Sequence, residues 1–206
     1  MNSININRPL MLFTILIAAI IVLSFGNAVA DDSKKYEAEF NTAGELIRPA
    51  GWREWVFVGS PLTPNSLNGG KAPFPEFHSV YIDPKSWAHW KKTGTFREGT
   101  MFAKELSLVG GTVATSGKGY FNGEFQGFEI AHKDSKRYSK ETDGWAYYTF
   151  GHHPEPYANS TAAMPIAACA ACHTAAAADD MVFTQNYPIL RAAKGTGTKG
   201  VGVGGK

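Results

Sequence analysis

Both cysteines of the chain fall in one five-residue stretch near the C-terminal end, Cys169-Ala170-Ala171-Cys172-His173. No other feature constrains the fold as much. Two thiols three positions apart cannot form a disulfide framework, so an apolar core has to hold the chain together. The 206 residues can supply one, because 44% are hydrophobic and 13% are aromatic, too many for a disordered chain. Charged residues make up 18% and the formal net charge is +2. That balance excludes a protein that grips nucleic acid through a basic surface.

Cys-x-x-Cys-His is the attachment signature of c-type haem. The two thiols reach the two vinyl groups of the ring and form thioethers. The next residue brings an imidazole beneath the iron, and two small alanines let the backbone pass close to the porphyrin. A thioredoxin-like redox pair needs no histidine and sits near the start of a βαβ unit. A four-ligand zinc site needs more ligands, and only His78, His89, His132, His152 and His153 remain. His152-His153, a loop pair, is too weak a signal to assign a metal. Haem c with its iron is therefore the expected cofactor, bound through Cys169 and Cys172, with His173 as proximal ligand. Met181 and Met164 lie awkwardly near the motif for reaching the opposite ring face, and Met101 sits in a strand pattern. An open or water-bound sixth position is expected, which points to small-ligand binding or catalysis.

Met1–Ala30 reads as a secretory signal. Arg8 supplies a weakly positive start, Leu10–Phe25 is almost wholly apolar, and Ala28-Val29-Ala30 is a small-residue cleavage site. The apolar run is shorter than the roughly 20 residues a spanning helix needs. Export suits the motif, because bacterial c-type haem is attached outside the cytoplasm. The expectation is a periplasmic protein, cleaved after Ala30, without membrane contact afterwards.

Residues 31–194 are expected to form one domain and 195–206 a flexible Gly/Thr/Val/Lys tail. Strands are predicted at Trp52–Gly59, Phe77–Ile82, Met101–Val109, Tyr120–His132 and Trp145–Phe150. Ser60–Pro73 is a Pro/Gly-rich loop, and Gly110–Gly119 reads as a glycine-rich turn. Pro84–Lys92 reads as a short helix capped by Asp83. Alanine-rich 162–178 favours helix, and Met181–Lys194 has roughly helical spacing interrupted by Pro188. Short links favour antiparallel pairing. The fold class is α+β, a mainly antiparallel sheet with helices packed on it and the haem near the C-terminal helical segment.

Several stretches, in this order and spacing, resemble the cytochrome P-460 family. They are Arg53-Glu54-Trp55-Val56-Phe57-Val58-Gly59, Val80-Tyr81-Ile82-Asp83-Pro84, Phe96-Arg97-Glu98-Gly99-Thr100, Lys104-Glu105-Leu106, the haem motif, and Asp180-Met181-Val182-Phe183-Thr184. The resemblance implies a periplasmic homodimer with a mainly β fold. It implies an enzyme that oxidises hydroxylamine, with or without nitric oxide, to nitrous oxide or nitrite, passing electrons to a soluble acceptor such as a small cytochrome c. The alternative is a nitric-oxide-binding or electron-carrying cytochrome of the related c-prime-beta type, without turnover.

The family's lysine, which adds a covalent bond to the porphyrin, falls on Lys104. From residues alone, Lys104 shares a strand face with Phe102 and Leu106, and either snorkels or sits in a pocket. The family's distal carboxylate falls on Glu129, beside Gly127 and Ala131 on one face; a shift of two residues would put Ala131 there. Glu129 would accept protons from the substrate. His78 stands where the resemblance leads one to expect arginine, and could donate a hydrogen bond or relay a proton. Phe102 and Tyr120 are candidate pocket walls.

Overall fold

The computed structural model describes residues 35–197. The signal at Met1–Ala30 and all but the first three residues of the tail lie outside the described residues. Among the described residues, no helix is long and apolar enough to cross a membrane.

Five antiparallel strands form a meander in the order β2-β3-β4-β5-β6. In chain order, β1 is Leu46–Ile47, β2 is Val56–Gly59 and β3 is Phe77–Ile82. Helix α1 spans Pro84–Thr93, β4 is Met101–Ala114, β5 is Gly117–Lys133 and β6 is Trp145–Gly151. Strand β7 (Ser160–Thr161) pairs with β1 in a small second sheet, and helices α2 (Ala170–Ala176) and α3 (Pro188–Ala193) follow. The expected α+β architecture is what forms.

Period 2 gives the central sheet two faces, and each builds a core. On one face Val58, Val80, Ile82, Phe102 and Trp145 meet Trp90 of α1, Ala170 of α2, and Leu190 and Ala193 of α3. On the other, Met101, Ala103, Phe128, Ile130 and Tyr148 meet Trp52, Trp55 and Leu46. Trp90 locks the helical side: its ring stacks on Phe96 at 4.4 Å and its Nε1 donates to the Leu190 carbonyl at 2.8 Å.

Several predicted boundaries shift. Trp52–Gly59 is not one strand. Gly51 adopts a left-handed φ of 64° and starts a 3-10 turn over Trp52–Glu54, which sends Trp52 and Trp55 into the second core. The glycine-rich segment 110–119 is mostly strand. β4 and β5 run on as a two-stranded ribbon and turn only at Thr115-Ser116. Its glycines serve close approach, since a Cβ on Gly110 would lie 2.7 Å from Cα of Gly123. Helix occupies only Ala170–Ala176 of the alanine-rich stretch. Pro188 opens α3 rather than interrupting a helix, because its ring suits the first helical position. The first tail residues are tied down, with Gly195 and Gly197 donating to the carbonyls of Trp90 and Lys91.

Helix α1 begins at Asp83 as expected, and Asp83 also sets where β4 starts. It is fully buried; Oδ1 accepts from the Ser86 amide at 2.8 Å, and Oδ2 from the Met101 amide at 2.9 Å. Arg97 Nη2 lies 3.4 Å from the same carboxylate. Asp83→Ala removes the cap and leaves a buried amide and a guanidinium without their partner. It should cost about 3 kcal/mol of unfolding free energy in urea titration, and a loss below about 1 kcal/mol would contradict this assignment.

Candidate haem site

The proximal side is built on α2. Cys169 precedes the helix, and Cys172 and His173 follow at the i+3 and i+4 positions, so the three share one side. Ala170, buried in the first core, anchors that helix to the sheet. Both cysteines are free thiols, Cys169 partly covered and Cys172 exposed. Burial pushes the Cys169 thiol up, which keeps it protonated and unlike the thiolate of a redox pair or zinc site.

His173 is aimed by a hydrogen bond from Nδ1 to the Met181 carbonyl, 2.6 Å long. That leaves Nε2 as the nitrogen for a metal. Tyr147 and Phe183 flank the ring at 4.4 and 4.6 Å between centroids. Burial pushes His173 down, which favours the neutral, ligating imidazole. The carbonyl reaches His173 through a strained turn in which Asp180 and Met181 have φ of 41° and 62°. Left-handed backbone at such residues costs about 1–2 kcal/mol each. The Asp180 carboxylate holds it, with Oδ1 accepting from Trp145 Nε1 at 3.1 Å and Lys133 Nζ at 3.0 Å.

The other predicted residues lie on the same sheet face as the first core. Lys104 and Glu129 are direct cross-strand partners on β4 and β5, with Nζ 2.5 Å from Oε2. The Phe74 ring lies 4.7 Å from Lys104 Nζ. The charges of both residues reach Cys169 and His173, so the chain brings the predicted cluster together. His78 pairs with Leu106, one row from Lys104. Burial, and then the Lys104 charge, push its imidazole down to about 4. Its Nε2 is buried without a hydrogen-bond partner.

Other expectations land elsewhere. Ala131 sits one row below Glu129, opposite Phe102 and against the first core. Phe102 is core, packed on Phe96 and Trp145. Tyr120 lies on the exposed ribbon, hydrogen-bonded to Ser66 at 2.7 Å. Met101 belongs to the second core, and Met181 Sδ accepts from Thr174. Met164 donates its amide to the Tyr147 carbonyl.

The family model for cytochrome P460 matches residues 49–184. The chain belongs to the cytochrome P460 family. A comparison with curated proteins finds no match. Membership makes it a c-type haem protein, with haem c and iron as its cofactor. The residues present fit that group: two unpaired thiols beside an imidazole with one committed nitrogen.

Sequence reasoning missed Phe74, Tyr147 and Phe183, and missed what Asp180 does in the cytochrome P460 motif. Tyr147 shares a strand face with Trp145 and was findable by period 2. Phe74 lies in a Pro/Gly-rich loop and carries no such signal.

His78 and His132 both bind protons weakly in the folded chain. Burial pushes each down to about 4, against an ordinary value near 6.5. The unfolded chain then takes up more protons, so stability is full above about 6.5 and is lost as pH falls toward 4, by up to about 3 kcal/mol per histidine. Urea midpoints should drop between pH 6.5 and 5, above most carboxylate titration, and His132→Gln should flatten that drop. A flat wild-type profile there would contradict the burial of both rings.

Proposed function

We propose that the protein oxidises hydroxylamine, with or without nitric oxide, to nitrous oxide or nitrite. One observation carries this reading: Lys104 and Glu129 face each other on the sheet wall whose charges reach His173. The bound haem iron would supply a coordination position for the substrate nitrogen and an exit for its electrons. Cys169 and Cys172 tether the ring, and His173 holds the metal. Glu129, the cross-strand neighbour of Lys104, would accept protons from the substrate. Lys104, when cross-linked to the porphyrin, tunes the ring. His78 donates or relays protons as a neutral imidazole. Phe74 covers Lys104 Nζ on one side, its ring 4.7 Å away.

Export to the periplasm with cleavage after Ala30, a homodimer and a soluble acceptor such as a small cytochrome c belong to the same proposal. The ribbon beyond the sheet supports a second copy, since Val113, Phe125 and Leu108 are exposed there and isolated two-stranded ribbons are marginal.

A second reading, a nitric-oxide-binding or electron-carrying cytochrome without turnover, is favoured by the tightness of the same ion pair. Lys104 Nζ is engaged by the Glu129 carboxylate at 2.5 Å. Optical spectra separate the two. Cross-linked holoprotein should show a ferrous Soret band far to the red of ordinary c-type haem, and Lys104→Ala should abolish the shift. An ordinary c-type spectrum in the wild type contradicts the cross-link. Glu129→Ala should slow hydroxylamine oxidation about 100-fold while nitric oxide binding persists, and unchanged turnover would place the base elsewhere.

A further inference from the structure

The proximal turn is more strained than a chain reversal requires. Asp179 and Val182 close it, with the Val182 amide donating to the Asp179 carbonyl at 2.7 Å. Positive φ at both central residues is what Asn-Gly supplies without strain. Here those positions are Asp180 and Met181, at 41° and 62°. A turn that only reversed the chain would gain from the less strained pair. Backbone held in so sparsely populated a region points to a role for what it presents.

It presents one carbonyl and one carboxylate. The Met181 carbonyl accepts from His173 Nδ1 at 2.6 Å and from the Tyr147 hydroxyl at 3.4 Å. Thr174, next to His173 on α2, donates to Met181 Sδ at 3.5 Å, so the side chain of the same residue is also held. One oxygen of the Asp180 carboxylate accepts from both Trp145 Nε1 and Lys133 Nζ. These two donors are cross-strand partners, Lys133 at the end of β5 and Trp145 at the start of β6. Lys133 is fixed in turn by donating to the Asp143 carbonyl at 2.8 Å. An unbroken series of hydrogen bonds, joined through the Asp180-Met181 backbone, therefore runs from the sheet to the imidazole.

We propose that Asp180 is a positioning residue that sets how strongly the proximal imidazole donates electrons, and so holds the haem iron toward its ferric state. A carbonyl fixed on Nδ1–H draws that proton toward itself and leaves the ring more anionic. A more anionic ring binds the metal more strongly and favours the higher oxidation state. Without its anchor the turn would relax, and the carbonyl would draw away from Nδ1. Asp180 touches neither ring nor iron; it acts through the Met181 carbonyl. The proposal rests on the haem that family membership brings, not on hydroxylamine turnover.

Redox titration and resonance Raman spectra of the holoprotein test it. Asp180→Gly removes both bonds and suits the left-handed backbone. It should shift the ferric–ferrous equilibrium about tenfold toward ferrous, a rise of ~59 mV for one electron, and lower the iron–histidine stretching frequency of the ferrous form. Asp180→Asn loses the charge but keeps the acceptor oxygen, and should stay close to wild type in both readouts. Trp145→Phe removes one of the two donors while keeping an aromatic ring in the core, and should move both readouts part of the way. Asp83→Ala, which loosens the start of β4 and α1 instead, should move neither. An unmoved potential and stretch in Asp180→Gly overturn the proposal. So does an Asp180→Asn shift as large as that of Asp180→Gly, which marks a bare charge effect, or an equal shift in Asp83→Ala, which marks general loosening. None of these readouts involves hydroxylamine, so failure here leaves the turnover reading standing.

Discussion

The bond from His173 Nδ1 to the Met181 carbonyl is the constraint on which the site depends. An imidazole tethered only through a short alanine helix could rotate, and then neither its tautomer nor its metal-facing nitrogen would be fixed. The carbonyl is presented by two successive left-handed residues that the chain would relax if free. Asp180 prevents that by anchoring the turn to Trp145 and Lys133 on the sheet. The proximal geometry is thus inherited from β5 and β6, the strands that also carry Glu129 and Tyr147.

This arrangement divides labour between the two faces of one sheet. The face bearing Trp52, Phe128 and Tyr148 is packed with aromatic side chains and supplies stability. The other packs against three helices at one end and turns polar at the other, through Lys104, Glu129, His78 and Glu76. Charged groups on a half-buried sheet face cost stability unless paired. Here Lys104 is paired with Glu129, Lys133 with Asp180 beside the proximal turn, and Glu76 is hydrogen-bonded to His152. Asp83 ties the start of β4 to α1, and so holds the register that places Lys104 opposite Glu129.

Much of this was legible in the chain itself. The haem motif, the strands over 77–82 and 145–150, and the helix capped by Asp83 carry strong local signals, and the structure keeps them. Lys104 and Glu129 were placed by resemblance; period 2 gave their faces but not that the two strands align them as partners. What was not legible is long-range. Gly110 looks like a turn residue, yet it is needed because Gly123 lies directly across the ribbon from it. Nothing near His152 announces Glu76, 76 positions away, as its partner. The strain at Asp180 and Met181 opposes their local preferences, and only Trp145 and Lys133 explain it.

The central claim is that His173 alone holds the iron, with the opposite coordination position left free for a nitrogenous guest. Electron paramagnetic resonance of the ferric holoprotein at neutral pH tests it most directly. A high-spin spectrum, converted on adding a small nitrogen ligand, is the result this structure predicts. A low-spin spectrum already present without added ligand, with protein side chains on both sides of the ring, would contradict it.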